Sequence, residues 1–307
     1  MAQDHRFPAG GRVMRRWLSY AALLILIGTA ASASTCLLRA EDAPKKRVVS
    51  IGSAVTEIVY ALGAEDSLVG VDTSSLYPEA ATKLPQVGYE RVLASEGILS
   101  LKPGVVIAMS EAGPPAVLAQ VKEAGVTLVS VPAKYTVDAA KEKIRIVAEA
   151  LGKVEEGRKL SAQLDESAAK ALALLAKAKT KPKVMFIYAR GGGSVNVSGT
   201  GTAADAMIGL AGGENAVTGY TGYKPITSEA VVAAAPDIIL LTRRGLESTG
   251  GEKGLLEQPG IALTPAGKSG RIIALDDVKL LNFGPRLGEA LLELIQKIHP
   301  ELATATP

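Results

Sequence analysis

Tyr89 lies in a polar loop, Val87-Gly88-Tyr89-Glu90-Arg91, just ahead of a helical start. A phenol ionises near pH 10, so its anion persists at neutral pH only where a metal or a cation stabilises it. The phenolate oxygen is then a ligand for ferric iron. Arg91, two residues on, can lie on the same side of an extended loop and favour the anion. The alternative is a surface tyrosine packing its ring on the loop, and on local sequence alone that is the simpler reading. Arg243 and Arg244 follow the β-rich run 238–241, at its carboxyl end. Arginine binds carboxylates in a bidentate way. Two solvated loop charges are the alternative, and one of the pair is assigned to that. Gly199-Thr200-Gly201-Thr202-Ala203-Ala204 matches G-x-G-x-x-A before a helix, a weak nucleotide signal taken alone. Together with Gly191-Gly192-Gly193, these glycines read better as tight turns that let a flat ligand approach the backbone. Glu96 and Glu229 each follow a serine and open a short helix, where capping explains them locally.

The residues that are scarce exclude other chemistry. The chain has two histidines, His5 and His299, and one cysteine, Cys36. A His-based metal site or a Ser/Cys-His catalytic pair inside a cleft is nearly excluded, and no disulfide is expected. The formal charge is +3, yet residues 1–40 hold five of the 34 basic and one of the 31 acidic residues, leaving 29 against 30 beyond. A near-neutral body removes the main electrostatic argument for nucleic-acid binding.

The first forty residues read as a leader. Arg6, Arg12, Arg15 and Arg16 precede the apolar stretch 18–33, and Ala31-Ser32-Ala33 fits a signal-peptidase site. The expectation is a cleaved secretory signal. A membrane anchor is the alternative, but the apolar run is short for a span. Lipid attachment at Cys36 is a third option, with Thr35 a poor fit to a lipobox.

Beyond the leader, β-rich runs alternate with helical stretches, which argues for parallel sheets covered by helices. Residues 155–179 carry Leu160, Leu164, Ala168, Leu172 and Leu175 at helical spacing, a rod of roughly 37 Å. Ser95-Glu96, Pro103 and the following strand recur as Ser228-Glu229, Pro236 and a strand, at an offset of 133. Gly88-Tyr89 likewise matches Gly222-Tyr223 with one residue dropped. The expected fold is α/β: two Rossmann-like lobes with parallel sheets, joined by one long α-helix, with a ligand cleft between them. The divisions are 1–40 signal peptide, 45–150 N-terminal lobe, 151–180 linker helix and 181–303 C-terminal lobe. The paired Glu96 and Glu229 then acquire a second use, one carboxylate per lobe for a two-fold symmetric partner.

The segments 87–103 (VGYERVLASEGILSLKP), 222–236 (GYKPITSEAVVAAAP), 244–251 (RGLESTGG), 259–267 (PGIALTPAG) and 283–287 (FGPRL) resemble the periplasmic haem-binding proteins of bacterial haem ABC importers. The resemblance covers most of the chain after the leader. It implies a binding protein, not an enzyme, that collects haem in the periplasm for iron acquisition and delivers it to a membrane permease driven by an ATPase. It implies Tyr89 as the axial iron ligand, with Arg91 and Arg244 lining the cleft near the phenolate or propionates. Tyr223 and Lys224 fall on the opposite lip, and Glu96 and Glu229 look like the carboxylates that dock on permease arginines. A monomer carrying a single Tyr-ligated haem is the implied state. The alternatives are a corrinoid or ferric-siderophore carrier of the same fold and, from another class, a nucleotide-using enzyme built on Gly199–Ala204.

Overall fold

The computed structural model describes Met1 and residues 46–190, 195–225 and 227–303. The expected leader, Cys36, His5 and Gly191-Gly192-Gly193 lie outside the described residues. Among those described, no helix is long and apolar enough to cross a membrane.

The first half runs β1 (Val48–Ile51), α1 (Ser53–Ala61), β2 (Leu68–Val71), β3 (Gly88–Tyr89), β4 (Val92–Leu93), α2 (Ser95–Ser100), β5 (Val105–Met109), α3 (Pro115–Glu123) and β6 (Thr127–Val131). Two helices follow, α4 (Val137–Leu151) and α5 (Val154–Leu175). The second half holds β7 (Lys183–Ala189), β8 (Val195–Ser198), α6 (Ala203–Leu210), β9 (Glu214–Asn215), β10 (Tyr223–Pro225), α7 (Ser228–Ala234) and β11 (Ile238–Thr242). It continues through α8 (Arg243–Ser248), α9 (Gly251–Leu256), α10 (Pro265–Ser269), β12 (Ile272–Leu275), α11 (Asp277–Leu281), α12 (Leu287–Ile298) and α13 (Pro300–Ala303).

Alternation along the strands builds the cores. Val48 of β1 joins one apolar cluster, while Val49 and Ile51 join a second. In β11, Ile238 and Leu240 join the first cluster, and Ile239 and Leu241 a third. Both sheets are therefore covered on both faces, as parallel strands require. The first sheet, β2-β1-β5-β6, is parallel throughout.

The second sheet departs from expectation. Its order is β10-β8-β7-β11-β12, with β9 beside β7. Strands β7, β11 and β12 are parallel, but β8 runs antiparallel to both β7 and β10. Five residues, 190–194, separate β7 from β8. That is enough for a hairpin and too few for a parallel crossover.

Helix α5, about 33 Å long by its 22 residues, is shorter than the expected span 155–179. It is seated by two close approaches. A Cβ on Gly288 of α12 would lie 2.1 Å from Ser167 Oγ and 2.6 Å from the Ala168 nitrogen, and one on Gly157 would lie 2.5 Å from Ala148 Cβ. These glycines bring α12 and α4 onto the helix at backbone distance.

From Lys46 onward the chain forms one compact unit. The first cluster draws from both halves, uniting Val55, Ile107 and Ile144 with Phe186, Met207 and Leu291. The loop 282–286 adds polar ties. Asn282 Nδ2 donates to Ser53 Oγ at 2.8 Å, and Arg286 Nε meets the buried Glu57 Oε1 at 2.6 Å. Lys143 of α4, fully buried, donates from Nζ to the carbonyl oxygens of Asn282 at 3.1 Å and Phe283 at 3.3 Å. Burial pushes its ammonium down to about 8.

Candidate functional site

Tyr89 sits on β3, in a hairpin whose turn carries Glu90 and Arg91 and which pairs Tyr89 with Val92 of β4. Gly88 before it has φ +103, a conformation that suits glycine. The loop ahead is anchored through Asp72, which is buried. Its carboxylate accepts from the Gly52 and Ser74 backbone N–H groups at 2.9 Å each, and from the Ser75 hydroxyl at 2.7 Å.

Opposite Tyr89 stand residues from the end of β7. The Arg190 guanidinium lies 5.6 Å from the Tyr89 ring centroid and 5.2 Å from that of Tyr188. The Tyr188 ring lies 5.2 Å from the Tyr223 ring, which also meets Phe186 edge-on at 6.3 Å. Tyr89 of the first lobe and Tyr188, Arg190 and Tyr223 of the second thus form one aromatic and cationic surface across the cleft. Burial pushes the Tyr223 hydroxyl up to about 12, opposed by its hydrogen bond to Thr202. Burial also raises Tyr188, with Arg190 opposing. Tyr135 flanks the first-lobe wall, its ring 5.4 Å from Phe283, and burial and the Glu111 charge raise its hydroxyl.

The remaining expected residues are placed differently from one another. Arg91 is exposed and stays on its own lobe, with Nη2 2.6 Å from Glu111 Oε2 and Nε 3.8 Å from Glu90 Oε1. Glu90 is raised by burial and by the Asp72 charge, against the pull of Arg91. Lys224 turns onto the Tyr220 ring, with Nζ 5.2 Å from the centroid.

Arg243 and Arg244 are not in a loop. They open α8, whose start is capped by Thr242 Oγ1 accepting from the Gly245 N–H, and both are exposed. The Arg244 backbone N–H reaches Asp277 Oδ2 at 3.3 Å. Among the described residues no ring contact or ion pair joins the Arg244 side chain to Tyr89.

Glu96 and Glu229 hold the second position of α2 and α7, both exposed. The capping differs from expectation. Neither serine is the cap: Thr227 Oγ1 accepts from the Ala230 N–H at 3.3 Å, while the N-cap of α2 is Ala94, without a side-chain bond. Serine fits the first helical turn in both copies, and the residue before it takes the cap position. Hydrogen bonds from its own backbone N–H, Thr227 and Ser228 lower the Glu229 carboxyl.

The Gly199–Ala204 loop has no free anion seat. The Thr202 hydroxyl accepts from the Asp205 N–H at 3.0 Å, and Asp205 Oδ2 accepts from the Gly201 N–H at 2.9 Å. A carboxylate of the chain itself thus fills the place a phosphate would take. The close approach that requires Gly199 is to Tyr220, whose carbonyl oxygen would lie 2.1 Å from an added Cβ. That glycine serves the protein's own packing rather than a flat ligand. His299 is buried at the end of α12, with Nε2 3.2 Å from the Ala211 carbonyl oxygen. Among the described residues no cluster of His, Cys, Asp and Glu is placed to hold a metal.

Sequence reasoning passed over Tyr188, Arg190 and Tyr135. The signal for the first two was present: they close a strand at its carboxyl end, where open α/β sheets bind ligands.

Two α/β lobes with a central cleft, spanned by one long helix, define a two-lobed solute-binding protein. The chain belongs to the family described as Periplasmic binding protein, which it matches over residues 48–278. It is similar to the structure of the periplasmic heme-binding protein RhuT from Roseiflexus sp. RS-1 in apo form, with 46% identity and TM-score 0.81 over 84% of this chain and 99% of that one. It is similar to the periplasmic heme-binding protein BhuT in complex with two hemes, with 43% identity and TM-score 0.79 over 84% and 99%. It is also 31% identical to the ABC transporter substrate-binding lipoprotein YvrC of Bacillus subtilis (strain 168), over 83% of this chain and 81% of that protein.

Proposed function

We propose that this chain is an exported solute-binding protein that holds haem between its lobes and delivers it to the permease of an ABC importer. The carrying observation is the placement of Tyr89: a phenol on one lip of the cleft, facing a guanidinium and two further tyrosines on the other. Ferric haem accepts a tyrosine oxygen as axial ligand, and a porphyrin offers a flat face to the rings. The 46% and 43% identity to two heme-binding proteins of the same fold supports this ligand over a corrinoid or siderophore.

In this reading Tyr89 binds the iron, and Arg91, Arg244, Tyr223 and Lys224 line the cleft around the porphyrin. Glu96 and Glu229, exposed at matching helix starts, meet basic residues of the permease, whose ATPase drives uptake. The protein works as a monomer in the periplasm, after residues 1–40 are removed, and catalyses no reaction. Its lobes are 45–150 and 181–303, joined by 151–180. The test is a visible absorption titration of the purified protein with hemin. Wild type should give the spectrum of a high-spin phenolate complex, and Tyr89→Phe should lose it while folding normally. An unchanged spectrum and affinity in Tyr89→Phe refutes the assignment.

A further inference from the structure

We infer that Arg190 is the residue that recognises the carboxylate side chains of the bound ligand; this rests on the haem reading of the same cleft. Among the described residues, Arg244 at the start of α8 has no side-chain partner and makes no ring contact, and the other basic side chains around the cleft differ in what already occupies them. Arg91 is held by Glu111 at 2.6 Å, and Lys224 lies over the Tyr220 ring. Farther back, Arg286 is held by Glu57 at 2.6 Å. Arg190 contacts two ring faces, those of Tyr89 and Tyr188, and among the described residues it makes no ion pair and no hydrogen bond.

A cation–π contact takes up none of the guanidinium's N–H donors in a hydrogen bond, so they remain available. Those donors match a carboxylate in a bidentate fork. The position is equally specific. Arg190 lies over the ring of the proposed iron ligand, 5.6 Å from its centroid, so a carboxylate bound there sits beside a metal bound at Tyr89. Porphyrin propionates satisfy that geometry, since they extend from the edge of a ring whose metal takes the phenolate. Glu90 and Asp277 contribute negative charge nearby but sit outside ion-pair distance of Arg190, and Glu90 already faces Arg91 at 3.8 Å.

The experiment compares ferric protoporphyrin IX with its dimethyl ester, which keeps the iron and the ring and lacks the carboxylates. Soret titrations are run on wild type, Arg190→Met, which keeps an apolar side chain over the rings, and Arg190→Lys, which keeps the charge without the fork. Arg190→Met should weaken the free acid by about tenfold or more and the ester by no more than about twofold, since hydrogen bonds to charged groups are the strong ones. Arg190→Lys should recover part of the loss. Both variants should retain the phenolate band, because Tyr89 is untouched. If Arg190→Met weakens acid and ester equally, Arg190 acts by positioning Tyr89 and the inference is overturned. If it weakens neither, the carboxylates bind elsewhere. A wild type that binds neither compound removes the haem reading itself, an outcome separate from either of these.

Discussion

Lys143 offers a quantitative test of how the two lobes are held. Its ammonium is buried against two carbonyl oxygens of the loop 282–286, and its value falls from 10.5 to about 8. The unfolded chain therefore holds this proton more tightly than the folded one. Stability contributed by Lys143 is lowest and flat below pH 8, and it rises as pH climbs from about 8 to 10.5. At 1.36 kcal/mol for each unit, the full rise is about 3 kcal/mol. In a domain of this size that is worth on the order of 8 °C in melting temperature. Lys143→Met keeps the length and apolar stem and removes the titration. At pH 7 it should change stability little, because relief from burying a charge is offset by two carbonyls left without a donor. Urea melts followed by circular dichroism from pH 7 to 11 would measure this, with the wild type minus Lys143→Met difference plotted against pH. Parallel curves for the two proteins would refute the reasoning.

The other expectations concern packing, ligand and partner. Gly288→Ala places a Cβ 2.1 Å from Ser167 Oγ and should cost about 1–3 kcal/mol by overpacking, read as a lower urea midpoint at unchanged m-value. Arg91→Ala leaves Glu90 and Glu111 without their cation beside Tyr89, and should weaken ferric haem in a Soret titration; wild-type affinity would remove Arg91 from the site. The double variant Glu96→Gln/Glu229→Gln should keep haem binding and melting temperature, yet fail to stimulate the importer's ATPase in vesicles. The wild-type interaction should weaken with salt, and normal transport by the double variant would leave the two carboxylates without a docking role.

The parts of this architecture that depend on local pattern could be read from the chain. The recurrence of Ser-Glu, Pro and a strand at an offset of 133 puts Glu96 and Glu229 at two matching helix starts, and the structure has them there, one residue further in, at the second position of α2 and α7. Apolar spacing located α5 to within a few residues. What escaped depends on long-range contact. Arg190 acquires meaning only when Tyr89, 101 positions away, arrives over its face. Lys143 stands in the charged run Lys141-Glu142-Lys143, which reads as a solvated helix face; the loop at 282–286, 139 residues on, covers it. The antiparallel turn of β8 was missed for a different reason. Gly191-Gly192-Gly193 reads as a turn facing a flat ligand, and the direction of β8 emerges only from its pairing with β7 and β10.

The apolar cluster that runs without a break from Val55 to Leu291 bears on how this molecule can be taken apart. Each sheet turns one face toward that common interior, so a cut in the connecting helix would leave Val48, Ile107 and Ile144 on one fragment and Phe186, Leu240 and Leu291 on the other facing water. Each half keeps a smaller cluster of its own on its far face, and the larger interior is shared. The lobes are halves of one cooperative body, expected to melt in a single calorimetric transition, and their repeated sequence does not make them separable modules.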